Sequence, residues 1–146
     1  MTRGAFGGWL LTLLASATLA GCGQSTVPGT VAASGVVTLD AKPLEGASVT
    51  FQPIGGDAKL ASQSTTDVAG KFELGTYAGG GKFQPGIAPG KYAVSIIKLD
   101  TAAIRNTLSP PKNLLPVKYA NPDSSKLTAE VTAGKENNFE FPLSSK

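Results

Sequence analysis

One side chain of this sequence carries a thiol, and its surroundings restrict the chemistry open to it. Cys22 is the only cysteine among 146 residues, and the chain contains no histidine. Without histidine there is no Cys-His or Ser-His nucleophile pair, and most metal sites lose their usual ligands. No disulfide can form within the chain. A single cysteine of this kind indicates a thiol with a special role.

The residues before Cys22 indicate what that role is. A basic residue at position 3 precedes the apolar run Ala5–Leu19. A membrane-spanning helix needs about 20 apolar residues. This run is shorter, and it fits a cleaved signal peptide better than a membrane span. The run ends Leu19-Ala20-Gly21-Cys22, which resembles the lipobox of bacterial lipoproteins at all four positions. The resemblance implies a signal peptide of residues 1–21, cleavage between Gly21 and Cys22, and fatty chains attached at Cys22. An ordinary secretory signal with a chance cysteine is the alternative.

Lipid attachment would decide how the protein meets a membrane. Each buried methylene contributes about 0.8 kcal/mol, so two or three chains on Cys22 would anchor the protein almost permanently. The expected relation to the bilayer is therefore an anchor and not a span. Residues 22–33 contain Gly, Gln, Ser, Thr and Pro with little apolar weight, as expected of a flexible tether. In lipoproteins of enteric bacteria, an Asp directly after the lipidated cysteine is the usual signal for retention in the inner membrane. Gly23 occupies that position here, which favours the outer over the inner membrane of the cell envelope.

Other chemistry is marked less strongly. Asp57 and Asp67 could supply oxygen ligands to Ca²⁺, but no run of spaced acids supports this, and Asp67 is more simply interpreted as the first residue of a turn. A carboxylate pair for glycoside chemistry or a Ser-Lys pair stays open, although no spacing selects one. The run Gly79–Lys82 lacks the glycine spacing of a phosphate-binding loop. We therefore predict no catalytic residue, no metal and no cofactor.

Two segments predicted to be irregular offer candidate binding surfaces. The loop Gly75–Gly90 contains six glycines and two prolines and carries Tyr77 and Phe83. Aromatic rings exposed at the edge of a domain could stack on sugar rings, or they could pack back onto the domain. A proline-rich segment around Leu114 and Leu115 is the second candidate. Its leucines are expected either to be exposed or to cap the core.

Composition restricts the partners. Without residues 1–21 the chain has 146 − 21 = 125 residues, and the loss of one arginine leaves 12 basic and 10 acidic residues, a net charge of +2. The lysines are scattered and form no basic stripe, so nucleic acid is not an expected partner. A chain of this length predicts one domain that is large enough to bury a core without disulfides.

Short segments with alternating apolar residues, separated by turn signals, run from about residue 33 to the end. Lys91–Leu99 is apolar on both faces, which indicates a central strand. About seven strands and no helical period predict an all-β fold over residues 34–143, an antiparallel seven-stranded Greek-key β-sandwich. The predicted strands are Ser34–Leu39, Ala47–Gln52, Lys59–Thr66, Lys71–Leu74, Lys91–Leu99, Lys126–Thr132 and Asn138–Leu143.

Several of these segments share residues with a known family. The matching residues are Gly35–Asp40, Lys42–Leu44, Gly46, Ala47, Val49, Phe51, Thr66, Asp67, Gly70–Phe72, Leu74, Pro89–Tyr92 and Val94. They resemble the first hairpin and the later turns of carboxypeptidase-regulatory-like domains, which are also called transthyretin-like (prealbumin-like) domains. With the lipobox and the segment Leu115–Tyr119, the whole resembles small lipoproteins common in planctomycete bacteria.

The resemblance implies a fold more than an activity, because functions are grafted onto folds. Transthyretin-like hydrolases that open hydroxyisourate use histidines, and the lack of histidine here excludes that activity. Physical roles account for the motif residues. Pro43 is expected to preset a turn dihedral, Gly46 to relieve crowding and Gly70 to take a positive φ. Tyr92 is expected to bury its ring and find a partner for its hydroxyl.

These observations predict a membrane-anchored, exported and non-enzymatic β-sandwich lipoprotein, a binding or structural module of the cell envelope. One alternative is a carbohydrate or cell-wall binding module that uses Tyr77 and Phe83. A hydrolase with carboxylates or a Ser-Lys pair is another. The expected partners are the membrane, through the lipid anchor, and an envelope protein or polysaccharide.

Overall fold

A computed structural model of the chain describes residues 29–56, 61–78, 81–101 and 110–146. Over these residues the chain folds into two four-stranded sheets and one two-stranded hairpin, which confirms the predicted all-β sandwich. The described helices are a 3₁₀ turn, Val117–Tyr119, and α1, Pro122–Ser125. The strands are β1 Ala33–Leu39, β2 Lys42–Pro43, β3 Ser48–Pro53, β4 Ser62–Thr65, β5 Lys71–Glu73, β6 Gly75–Ala78, β7 Lys82–Pro85, β8 Gly90–Ile97, β9 Leu127–Val131 and β10 Asn137–Leu143.

The first sheet is built around β1. Strand β10 lies parallel to β1 along its full length, and the opposite edge of β1 pairs with β5 near its start and with β2 near its end. Because the first and last strands are not joined by a hairpin, nothing forces them to be antiparallel. The sandwich therefore contains one mixed sheet, where the sequence predicts only antiparallel pairs.

The second sheet is antiparallel throughout, in the order β4-β3-β8-β9. Strand β8 has neighbours on both edges, which confirms the central position predicted from its apolar residues. Val94 and Ile96 on this strand are fully buried, and the intervening Ser95 is also buried.

Aromatic rings fill the space between the two main sheets. Phe51 lies at the centre, with its ring centroid 5.6–6.1 Å from those of Phe72, Tyr92, Phe139 and Phe141. Tyr92 is buried, and its hydroxyl donates a 2.7 Å hydrogen bond to the carbonyl of Ala88, as its sequence context predicts.

The turns confirm the prediction for Gly70 and correct the predictions for Pro43 and Gly46. Asp40 and Ala41 both have positive φ, which makes a two-residue hairpin, so Pro43 lies in β2 and not in the turn itself. Gly46 has a φ of +67° with open space beside it, so its conformation and not crowding requires glycine. Gly70 has the predicted positive φ, at +72°.

In the part of the chain that the structure describes, no helix is long and apolar enough to span a membrane.

Candidate functional site

The segment Gly75–Gly90, predicted as a loop, contains a β-hairpin instead. Strands β6 and β7 pair in register from Gly75 opposite Pro85 to Ala78 opposite Lys82. Threonine and aromatic residues favour strands, and three of the segment's glycines fall in the connection between the two strands. The loop prediction is wrong here because it weighed the number of glycines and not their positions.

The hairpin brings the two predicted site aromatics together. Tyr77 and Phe83 lie directly opposite each other, with ring centroids 5.7 Å apart and ring planes at 70°. Tyr77 is 70% exposed and Phe83 is 51% exposed. The alternative in which these rings pack back onto the sandwich is therefore wrong for Tyr77. The result is an exposed edge-to-face pair, a geometry that aromatic rings prefer.

Gly75 gives Phe83 its position. A Cβ atom on Gly75 would overlap the edge of the Phe83 ring and would lie 2.8 Å from the carbonyl oxygen of Gln84. Phe83 and Gly75 are diagonal neighbours across the two strands, and an aromatic ring that covers a glycine in this way protects the bare backbone. The ring is thus held on one side while half of its surface stays exposed.

Hydrogen bonds hold the base of the hairpin, both to the sandwich and between its own two strands. The Ser62 hydroxyl donates to the carbonyl of Gly75 at 2.7 Å, and the Thr76 hydroxyl donates to the carbonyl of Gly86 at 2.6 Å. The Gly86 amide in turn donates to the carbonyl of Leu74 at 2.8 Å. Because both strands are tied down, the aromatic pair occupies a defined place on the surface.

A cleft of about 260 Å³ lies beside the hairpin base. Its charged lining residues are Glu73, Lys135 and Glu136, and Pro85 and Asn137 also line it. The volume is below the roughly 300–1,000 Å³ typical of small-molecule sites. Sequence reasoning missed this cleft because its walls come from segments far apart in the chain.

Among the described residues, the two titratable groups with clearly shifted pKa values lie away from the aromatic pair. Burial raises the pKa of the Tyr92 phenol, whose hydroxyl is already engaged within the fold. Hydrogen bonds from Ser145 lower the pKa of the exposed Asp40 carboxyl, which accepts from the Ser145 amide at 3.2 Å. Both groups have structural roles in the contacts that the structure gives them.

The remaining candidates for oxygen ligands are resolved in part. Asp67 Oδ1 accepts hydrogen bonds from the amides of Ala69 at 2.9 Å and Lys71 at 2.8 Å, so its carboxylate organises the turn. Asp57 lies outside the described residues, as do Gly21 and Cys22. Among the described residues no group of three or more Cys, His, Asp or Glu is placed to hold a metal ion.

The second candidate surface divides between its two leucines. Leu115 is buried in the core cluster, whereas Leu114 is half-exposed. The side-chain carbonyl of Asn113 accepts hydrogen bonds from the amides of Lys98 and Leu115, each at 3.1 Å. One leucine therefore caps the core, and the other is partly exposed, three residues before the exposed Val117.

Comparisons of the chain with models of protein families, with curated proteins and with solved structures found no match in any of the three.

Proposed function

We propose that this chain is an exported lipoprotein of the cell envelope, anchored through Cys22, that acts as a non-enzymatic binding module. Its contact surface is the Tyr77–Phe83 pair. The observation that carries the proposal is that two large rings stand exposed on opposite strands of a hairpin whose base is fixed by hydrogen bonds. Aromatic residues that stay exposed in a fixed arrangement are typical of binding surfaces.

The position of Cys22 supports the anchoring part of the proposal. It follows an apolar segment and the small residues Ala20 and Gly21, the pattern of a lipobox. Anchoring also gives such a small surface a use. A surface of two rings binds weakly alone, but holding the domain at a membrane raises the effective concentration of any partner there.

The relation to carboxypeptidase-regulatory-like domains is part of the same proposal. The hairpin that follows β1 and the positive φ of Gly70 support it, since both fall where the motif residues are. This relation concerns the fold and assigns no activity.

Membrane flotation tests the anchor. The full chain, expressed in a Gram-negative host, is expected to float with membranes in a density gradient and to enter the detergent phase on partitioning. Cys22→Ser removes the thiol that accepts the lipid. This variant is therefore expected to be neither lipidated nor cleaved after Gly21. The control is Ser25→Ala, a change in the same segment that leaves the thiol. A Cys22→Ser chain that is processed and floats like the parent would contradict the anchor.

Carbohydrate is a second candidate partner, favoured by the exposure of an amphipathic tyrosine ring beside a phenylalanine ring. A glycan array and polysaccharide pull-down would use the parent chain, Tyr77→Ala and Phe83→Ala. Val68→Ala is a matched control, because Val68 is also exposed and apolar but is not on the hairpin. Loss of glycan binding in both hairpin variants, with binding kept in Val68→Ala, would establish this partner. Glycan binding that is absent, or unchanged in the hairpin variants, would exclude it.

A further inference from the structure

The amino-terminal segment leaves the domain alongside the hairpin. Val31 and Ile87 exchange two backbone hydrogen bonds, of 2.9 and 3.0 Å. The Gln84 side-chain amide donates to the Thr30 hydroxyl at 3.3 Å, and a Cβ atom on Gly86 would lie 2.8 Å from the carbonyl oxygen of Val31. Thr30 and Val31, which are described residues on the Cys22 side of β1, are therefore packed against the strand that carries Phe83 and the residues that follow it.

The two ends of the domain differ in this respect. Ser34, at the start of β1, pairs with Glu73, whereas Val36 pairs with Lys71. The turn that precedes β5 therefore lies toward the end of the domain away from the hairpin. We call the hairpin side the near end and the side that carries this turn the far end. Val68, in the turn, is 77% exposed and marks the far end.

The connection to Cys22 is short. Val31 follows Cys22 by nine positions, and a connection of that length spans at most about 30 Å when fully extended. The eight residues of β8 alone measure about 26 Å, before the turns at either end of the sandwich are added. With Cys22 at a bilayer, the far end could approach the lipid only if the connection were stretched to its limit. With a less extended connection, the near end is the end that an anchored Cys22 would hold close to the lipid.

We infer that Tyr77 and Phe83 seat against the headgroup region of the same bilayer that holds Cys22, and that this contact fixes the orientation of the domain. The inference rests on the proposed lipid attachment. The chemistry of Tyr77 matches, since the amphipathic rings of tyrosine and tryptophan concentrate at membrane–water interfaces, at the level of the headgroups. The Phe83 ring beside it adds exposed apolar surface. The lipid anchor supplies the affinity for the membrane. The contact made by the aromatic pair therefore needs only to be strong enough to determine which face of the domain meets the membrane.

Tryptophan fluorescence can test this contact. The chain has a single tryptophan, at position 9, which lies in the segment that signal cleavage is expected to remove. Tyr77→Trp then gives the mature protein one reporter at the near end, and Val68→Trp gives a matched reporter at the far end. Phe83→Trp is a second near-end variant in case the first does not fold. Each lipidated protein is placed in vesicles of phosphatidylcholine and phosphatidylglycerol whose acyl chains are brominated.

The expected result is a loss of fluorescence from the near-end reporters, with emission shifted to the blue, and no change from Val68→Trp. Equal quenching at both ends, or none at the near end in a chain that floats with the vesicles, overturns the inference. A chain that fails to float shows instead that the anchor itself is missing. A near-end reporter that responds to added cell-wall polysaccharide and not to lipid assigns the surface to a glycan and also overturns it.

Discussion

Two glycines of this protein each make room for an aromatic ring, one in the core and one on the surface. Gly35 lies beneath Phe72, where a Cβ atom would be 2.6 Å from the ring. Gly75 lies beneath Phe83 in a similar way. Phe72 is 3% exposed, however, whereas Phe83 is 51% exposed. The same local device thus closes the core in one place and presents a ring to the surroundings in the other.

The neighbours of the two rings explain the difference. Phe72 packs against Phe51 and stacks on Phe141, so it belongs to the cluster between the sheets. Among the described aromatic rings, Phe83 is paired with Tyr77, which is itself exposed. The core rings should therefore be needed for the stability of the fold, and the hairpin rings should be needed for contact with a binding partner. Four substitutions sharpen or break this contrast.

The largest loss of stability is expected from Phe51→Ala. Phe51 is fully buried at the centre of the aromatic cluster, and truncation of such a ring costs about 3–5 kcal/mol because it leaves a cavity. The measurement is urea unfolding followed by far-UV circular dichroism. A loss below about 1 kcal/mol would mean that the cluster repacks easily, a result at odds with a closed core.

Gly35→Ala should follow, with a loss of about 2–3 kcal/mol from overpacking. The new methyl group would meet the Phe139 carbonyl oxygen, which is backbone, as well as the ring of Phe72. A shift of β10 against β1 would be needed to relieve the clash. Thermal unfolding measures the effect, and a variant as stable as the parent would show that these two strands can separate at little cost.

Gly75→Ala should be milder, at about 1–2 kcal/mol, because a surface ring can move away more easily than a packed one. The carbonyl of Gln84, 2.8 Å from the added methyl group, must still shift. Hydrogen–deuterium exchange is expected to rise in the hairpin and to stay unchanged in β8. An equal increase in exchange in the hairpin and in β8 would show that the hairpin unfolds together with the core.

Tyr77→Ala should have the smallest effect on stability, within about 0.5 kcal/mol, since exposed side chains rarely contribute more. Its edge-to-face contact with Phe83 is the only ring contact that the structure gives it among the described residues. Urea unfolding checks the stability, and the orientation of the lipidated chain on vesicles checks the function. A large stability loss would assign Tyr77 to the fold and weaken its assignment as a contact residue.

Much of the sandwich could be predicted from alternation, because each strand must turn one apolar face inward. Phe139 and Phe141 illustrate where this works and where it fails. Their alternation correctly predicts strand β10. The parallel pairing of β10 with β1, however, joins segments about 100 residues apart in the chain, and no local pattern encodes it. The Asp40–Ala41 turn escaped prediction for another reason, since alanine rarely takes the positive φ of 65° found here.

The candidate site shows the same division. Tyr77 and Phe83 could be selected from the sequence as aromatic residues among glycines. Their register, however, follows from strand pairing, and their place beside Val31 follows from how the sandwich closes. No spacing in the chain relates Thr30 to Gln84, which are in hydrogen-bond contact. The near end of the domain could therefore be recognised only in three dimensions.

The most direct test of the whole account is the mass of the amino-terminal peptide of the native protein, isolated from its membrane. The account predicts a peptide that begins at Cys22 and carries a diacylglyceryl group on the sulfur, with or without an acyl chain on the new amino group. A bare thiol at Cys22, or a mature chain that begins elsewhere, would contradict it and would remove the reason for the hairpin to face lipid.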